Sequence, residues 1–422
     1  MTALPDACGI DFGTSNSTVA CARAAAPGQI ALLALENGKF TLPSVVFFHA
    51  EDAHISYGRA ALADYLAGDE GRLMRSLKSL LGTPLIDEQT EVAGRALPFR
   101  ELLAQFIGEL KRRAERAAGR SFTRAVLGRP VFFVDGDPVA DRQAQDTLAD
   151  IARAVGFTEI AFQYEPIAAA FAYESQVTRE ELVLVVDIGG GTSDFALVRL
   201  APERADRADR RDDILASGGV HIGGTDFDKY LSLASVMPML GLGSLLKSGL
   251  VMPSAPYFNL ATWHTINFAY TKKAAGQITE LRREAAEPDK LARLQVLVAQ
   301  RAGHWLAMQL EEAKMALSGS AETYMDLGRI SAGETLRLRR DALDGAISVL
   351  VDDIATSVSG LLRDAGVDAG AVDTVFFTGG SSSVPLLRAR IAALLPRARR
   401  VEGDLFGSIG TGLALDALRK FG

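Results

Sequence analysis

The sequence predicts an α/β protein built from two similar lobes. Two observations carry this. Strand-like and helix-like segments alternate along the chain, the pattern of sheets covered by helices. One motif is also written twice: residues 9–17 read G-I-D-F-G-T-S-N-S and residues 185–194 read V-V-D-I-G-G-G-T-S-D. In each, an apolar strand ends on an aspartate, a glycine-rich turn follows, and hydroxyl side chains come next. Asp11 and Asp187 stand a domain length apart, which suggests two lobes meeting one nucleotide from opposite sides.

The elements follow in order. Gly9–Asp11 closes one strand and Thr18–Ala22 opens a second, so Gly13-Thr14-Ser15-Asn16 reads as a hairpin turn. Strands over Ile30–Leu35 and Val45–Phe48 come next. Leu102, Leu103, Phe106, Ile107 and Leu110 recur at helical spacing. Asp137-Pro138 supplies an N-cap and a first-turn proline for a helix that stops at Gly156, and Glu165-Pro166 starts another. The apolar run from Glu181 to Asp187 predicts a strand covered on both faces. Residues 201–213 are a charge run, read as a solvated loop. One long helix is expected from Asp289 to about Leu317, ended by Gly319. A strand over Val375–Thr378 enters Gly379-Gly380-Ser381, and the final helix begins near Gly407.

Composition excludes several classes. The chain has 422 residues, too many for one core, and is 48% hydrophobic and 23% charged, as globular proteins are. A net charge of −7 argues against nucleic acid as the main partner. Cys8 and Cys21 are too few for a disulfide framework and sit in no metal-type cluster, which points to a reducing, cytoplasmic setting. Residues 1–6 (M-T-A-L-P-D) show no leader peptide. The apolar stretch from Ala234 to Pro253 is interrupted by Pro238, glycines and Lys247, so no membrane span is expected. Pro256, Tyr257, Phe258, Trp263 and Phe268 read as core, with a partner patch as the alternative.

Glycine-rich turns suit phosphate because glycine lets successive N–H groups converge on an anion. Gly13, Thr14, Ser15 and Asn16 in the first turn are candidates, as are Gly189, Gly190, Gly191, Thr192 and Ser193 in the second. A carboxylate at each strand end would repel phosphate but can hold a hydrated Mg²⁺ or orient a water. Gly379, Gly380 and Ser381 would let a flat ring lie on the backbone, at a helix N-terminus that attracts an anion.

The order of these motifs, with Y-E-P-I-A-A-A-F-A-Y (164–173) and G-G-V-H-I-G-G-T-D-F-D (218–228), resembles the ATPase domain of the DnaK-type 70-kDa heat-shock chaperones over nearly the whole chain. The short YegD-like bacterial members are the most similar. The resemblance implies an actin-like ATPase fold, each lobe holding a core mixed sheet flanked by helices plus an accessory subdomain. Lobe I would be residues 1–178 (core 1–40 and 120–178, accessory 41–119). Lobe II would be 179–404 (core 179–230 and 318–404, accessory 231–317), and a helix over 405–422 would pack back on lobe I.

It also implies roles. Asp11 and Asp187 would surround hydrated Mg²⁺, and Asp187 would polarise the attacking water. Thr14, Ser15 and Thr192 would meet the phosphates, and Lys78 would stabilise the in-line transition state. Glu165 would link pocket to hinge, with Pro130 and Arg142 as switch and relay. Gly223 and Gly224 would lie beside the β-phosphate. Glu311, Lys314 and Ser318 would face the ribose and adenine, and Asp404 would complete the nucleotide site. For Glu311 and Lys314 an ion pair one turn apart is the alternative. The chain departs from the family where two arginines clamp adenine: these positions are Met315 and Ser383. Each lost cation–π contact is worth about 0.5–2 kcal/mol.

The expected function is therefore binding of ATP or ADP with Mg²⁺ and slow hydrolysis. Two alternatives stay open: a non-catalytic nucleotide sensor for a protein partner, and a small-molecule kinase. No peptide-binding domain is read after Gly422, so the peptide site of longer relatives is not expected.

Overall fold

Two five-strand paths with the same order form the frame of the protein in this computed structural model, which describes all residues except 1–5, 24, 25, 27, 52, 53, 93, 206, 208 and 209. The residues read for a leader and the middle of the charge run thus fall outside the described residues. The first path uses β1 (Ala7–Phe12), β2 (Asn16–Ala22), β3 (Ile30–Leu32), β4 (Arg124–Arg129) and β5 (Glu159–Tyr164), in the order β3-β2-β1-β4-β5. The second uses β6 (Glu181–Ile188), β7 (Ser193–Leu200), β8 (Ile214–Val220), β9 (Thr374–Thr378) and β10 (Arg399–Glu402), in the order β8-β7-β6-β9-β10. In each, three antiparallel strands made by hairpins are extended by two parallel strands. The duplication seen in the motifs extends to the five-strand path; the first sheet adds a short strand, Leu42–Pro43, beside β2.

The chain divides into two compact units. The first comprises residues 1–223, 353–382 and 388–422, and the second 224–352 and 383–387. Both core sheets belong to the first.

Within the first unit, helix α1 (Phe99–Ala118) buries Leu102, Leu103, Phe106, Ile107 and Leu110, the stripe read from the sequence. Together with α2 (Pro138–Ala154) it covers one face of the first sheet, over Ile10, Phe12 and Val19. Asp137 caps α2 by accepting from the Val139 and Ala140 amides, both at 3.0 Å. A second core joins the two sheets through α3 (Glu165–Glu174) and the chain's last helix: Ile167, Ala168 and Phe171 pack with Val183, Val185, Phe376 and Leu413. An added Cβ at Gly412 would lie 1.7 Å from the Ala168 carbonyl oxygen, so only glycine permits this helix contact.

The charge run is not simply solvated. Arg210 and Asp213 are buried, and the Arg210 guanidinium grips both Glu174 oxygens at 2.7 Å and Asp213 at 2.6 Å. Arg210 and Arg419 also lie over the Phe171 ring, at 5.1 and 4.6 Å from its centroid. Burial demands such pairing, and α3 supplies the carboxylate.

Labelled helices of the second unit are α4 (Gly224–Ser235) and α5 (Gly303–Gly319). The single helix expected over 289–317 is two, Pro288–Ala299 and α5, because Arg301 takes a left-handed φ of 50° between them. Of the aromatic group, Tyr257 and Trp263 are core, whereas Phe258 and Phe268 are about half exposed (45% and 48%). Helix α6 (Arg340–Asp364) is the one described helix long and apolar enough to cross a membrane. Its buried Leu343, Ile347, Val351, Ile354 and Val358 form the stripe of a helix packed on a core. Helix α7 (Ser408–Phe421) ends the chain.

Candidate functional site

The site grows from the ends of β1 and β6. Beyond β1 the turn tightens at Gly13, where a Cβ would lie 2.1 Å from the Asn16 carbonyl oxygen. Ser44 pins the turn: its amide donates to the Ser15 carbonyl at 2.9 Å and its hydroxyl to the Gly13 carbonyl at 2.7 Å. Beyond β6 the Gly189 amide closes the second turn on the Thr192 carbonyl at 3.0 Å. The two turns meet. A Cβ on Gly190 would fall 2.4 Å from Ser15 Oγ, one on Gly191 2.9 Å from Thr14 Oγ1, and one on Gly223 2.6 Å from the Gly190 carbonyl oxygen. Only glycine lets the two turns pack this closely, which brings Thr14 and Ser15 beside Gly190 and Gly191, and glycine-rich backbone of this kind can cradle an anion.

Behind the cradle lies a cluster of buried charges. Ser76, with a left-handed φ of 60°, turns the chain into the short helical segment Leu77–Leu80 that carries Lys78. The Lys78 ammonium donates to Glu165 Oε1, and both side chains are buried. Glu165 is held as the first residue of α3, followed by Pro166. Asp11 and Asp187 are buried near the ends of their strands, and Asp194 faces Asp187 across the β6–β7 pair.

Burial, then the Glu165 charge, push the Asp11 and Asp194 carboxyls up to about 7. The same two causes, with Asp194 and Asp11 added, hold Asp187 well above the carboxylate range. Burial pulls Lys78 down, but Glu165 and Asp11 outweigh it and keep the ammonium charged. Four carboxyl groups thus surround the buried Lys78 ammonium, and among the described residues Asp187 Oδ1 and Asp194 Oδ2 have no hydrogen-bond partner. Such a set needs further positive charge or protons.

Among the described residues, three metal-type ligand atoms lie within 4.8 Å of one another only at His49, Asp64 and Asp69. There each imidazole nitrogen faces its own carboxylate, at 3.1 and 3.8 Å. That is a paired histidine rather than an open coordination site. The Asp11, Asp187 and Asp194 oxygens are more widely spaced, as suits a cation held through its water shell.

The remaining expected residues distribute as follows. Gly379 has φ 77°, and a Cβ there would lie 2.5 Å from Asp187 Oδ1, so it adjoins the carboxylate cluster, followed by Gly380 and Ser381. Asp404 accepts from the Phe406 amide at 3.1 Å and, through its carbonyl, from the Ser408 amide and hydroxyl, which closes the turn before α7. Glu311, Lys314 and Ser318 lie on α5, in the second unit, as does Gly224 at the start of α4. Lys314 is buried and bonds to Asp228 (2.9 Å) and the Gly224 carbonyl (3.0 Å), so it pairs with α4. Pro130 follows β4. Arg142 is exposed on α2, and the arginine that bonds to the Pro130 carbonyl is its neighbour Arg129, at 3.0 Å.

Sequence reasoning passed over Asp194, Ser44 and Ser79. Asp194 stood inside the quoted second motif, and its equivalence to a strand-end carboxylate was the available signal. Ser79 Oγ lies 3.6 Å from the position a Gly191 Cβ would take, beside Lys78 in sequence. Ser44 gave no local signal.

Comparison with known proteins identifies the family. The family model described as "Hsp70 protein" matches residues 7–236 and 284–415. The intervening stretch, in the second unit, carries the half-exposed Phe258 and Phe268. Similar relatives include a "Chaperone protein HscA homolog" of Pseudomonas aeruginosa (29% identical over 98% of this chain) and one of Shewanella oneidensis (28% over 98%). "Chaperone protein HscA" of Edwardsiella ictaluri is 30% identical over 98% of this chain. The chain spans 58% of the length of these relatives. From the match along most of its length and the doubled sheet that carries the two glycine-rich turns, the chain belongs to the Hsp70 family, with the family's actin-like ATPase fold.

Proposed function

We propose that this protein binds Mg²⁺-ATP in the cradle between the two glycine turns and hydrolyses it slowly. The observation that supports this most is the clustering of Lys78, Glu165, Asp11, Asp187 and Asp194 beside the two glycine turns. Amides of the turns and the Thr14, Ser15 and Thr192 hydroxyls bind and orient the phosphates. Asp11 and Asp187 would hold the hydrated Mg²⁺, whose charge neutralises the phosphate oxygens. In hydrolysis, water oxygen attacks the γ-phosphorus while the bond to the bridging oxygen breaks, giving ADP and phosphate. A carboxylate of the Asp187–Asp194 pair takes the water proton; burial raises both carboxyls, Asp194 to about 7, which suits that exchange. Lys78 stabilises charge on the transferring group, and Glu165 holds Lys78 in place.

The relatives are named chaperones, so a protein partner for this chain, and a cytoplasmic site of action, extend the same reading. The test is a thermal melt with a turnover assay. ATP with Mg²⁺ at 100 times its Kd should stabilise the fold by about 2.7 kcal/mol, and AMP far less. Phosphate release should accompany it. Binding without release makes the protein a nucleotide sensor, and no shift at millimolar ATP overturns the reading.

A further inference from the structure

Arg129 is an unusual residue to find at the inner end of a core strand. Its side chain is buried, and it uses nearly all its donors at once. Nε donates to the Pro130 carbonyl at 3.0 Å and Nη2 to the Val131 carbonyl at 3.1 Å. Nη2 also meets both Asp141 oxygens, at 2.9 and 2.7 Å, and Nη1 meets Gln145 at 2.6 Å. Its guanidinium lies over the rings of Phe133 (5.0 Å) and Tyr164 (5.3 Å). A buried ion pair of this kind is seldom worth more to stability than apolar packing of the same volume. What it does fix is geometry.

Two of its contacts lead to the candidate site. The Val131 residue whose carbonyl it holds donates its own amide to Asp194 Oδ1 at 2.6 Å. Tyr164, its ladder partner across β4 and β5, immediately precedes Glu165, which pairs with Lys78. Asp141 reinforces the same turn by accepting from the Phe133 amide at 2.6 Å. One guanidinium therefore braces the segment that bonds to Asp194 and the residue before Glu165.

We infer that Arg129 is a positioning residue for the nucleotide site, holding the 130–133 turn so that the Val131 amide meets Asp194 and holding Tyr164 so that Glu165 meets Lys78. The inference rests on the proposed nucleotide function for its kinetic consequence, but not for its geometric one. A guanidinium does this where an ammonium does not, because the planar fork reaches two carbonyls and a carboxylate together.

Two measurements test it on the full chain. Hydrogen exchange of Arg129→Met should show the amides of residues 131–133 losing protection, with the β1–β2 hairpin unchanged. Unchanged protection at 131–133 overturns the inference, whether or not the protein turns over ATP. In the turnover assay, Arg129→Met should lower kcat about tenfold, as a displaced catalytic group does, while KM changes less than about threefold. In an Asp194→Asn background the same change should cost much less, since the two act in one line. Full additivity of the two substitutions, or loss carried in KM alone, overturns it. If Arg129→Met does not fold, Gln145→Ala, which removes only the Nη1 contact, should give a smaller effect of the same kind, and no effect there on protection or kcat counts against the inference.

Discussion

Lys78 and Glu165 meet as a buried ion pair although 87 residues separate them in the chain. One comes from the short helical segment after the strand Gly71–Arg75, the other from the first turn of α3. With three further carboxyl groups facing them, each member of the pair has a consequence for stability as well as for chemistry.

Removing the lysine should be costly. Lys78→Ala leaves Glu165 buried and unpaired, a loss of about 3–5 kcal/mol. Thermal denaturation should show it, and Lys78→Met combined with Glu165→Gln should recover part of it, because no unpaired charge remains. Turnover should fall far more than ATP affinity, because the ammonium acts on charge that develops in the transition state. An unchanged melting temperature in Lys78→Ala would show that the pair is not buried as described.

Proton linkage at the carboxyl cluster should be visible without nucleotide. Asp11 and Asp194 sit near 7 when folded, against about 3.9 when unfolded. The folded protein therefore holds protons that the unfolded chain has released, so these groups lower stability as pH rises from about 4 to about 7. Mg²⁺-ATP binding should run the other way. A cation favours the ionised carboxylates, so affinity rises between about pH 6 and 8 and protons are released. Calorimetry in buffers of different ionisation enthalpy measures that release. Proton uptake instead would contradict the assignment.

Base selectivity should be modest. Met315 is 63% exposed on α5 and offers adenine no cation, and Ser383 offers none either. ATP and GTP should bind within about one order of magnitude, and arginine at both positions should favour ATP. Strong adenine selectivity in the unmodified protein would mean that other residues hold the base.

Two glycines in helices should respond with opposite signs. Gly412→Ala drives a methyl group into the Ala168 carbonyl and should cost at least about 1–3 kcal/mol. Gly276, within the helix Lys272–Glu284, has nothing within 4 Å of an added Cβ. Gly276→Ala should stabilise by about 0.5–1 kcal/mol. Equal effects in chemical denaturation would refute the close approach of α7 to α3.

Local signals in the sequence reported local structure well. The Asp-Gly turns, the Asp137 cap and the α1 stripe each depend on neighbours in the chain, and each appears where the pattern puts it. The break at Arg301 escaped because apolar periodicity continues on both sides and no glycine or proline marks residues 300–302. Arg210 and Asp213 escaped for another reason. A charge run looks solvated unless one knows that Glu174 lies across from it. Asp194 and Arg129 are the same case at the site, since the Val131 amide that joins them to one network comes from 63 residues before Asp194.

The packing of α7 has a kinetic side. Its residues close against α3 and against β1, which lies far before it in the chain: a Cβ on Gly9 would lie 2.3 Å from the Ala414 amide nitrogen. The strand that carries Asp11 therefore emerges from the ribosome with its covering helix some four hundred residues behind it. Until that helix arrives, the Ala168–Ala170 face and the back of β1 stay open to water or to other proteins. Contacts of such sequence separation fold slowly and leave apolar surface exposed meanwhile. The strand that carries Asp11 thus owes its cover to a helix far along the chain, and its packing waits on that helix.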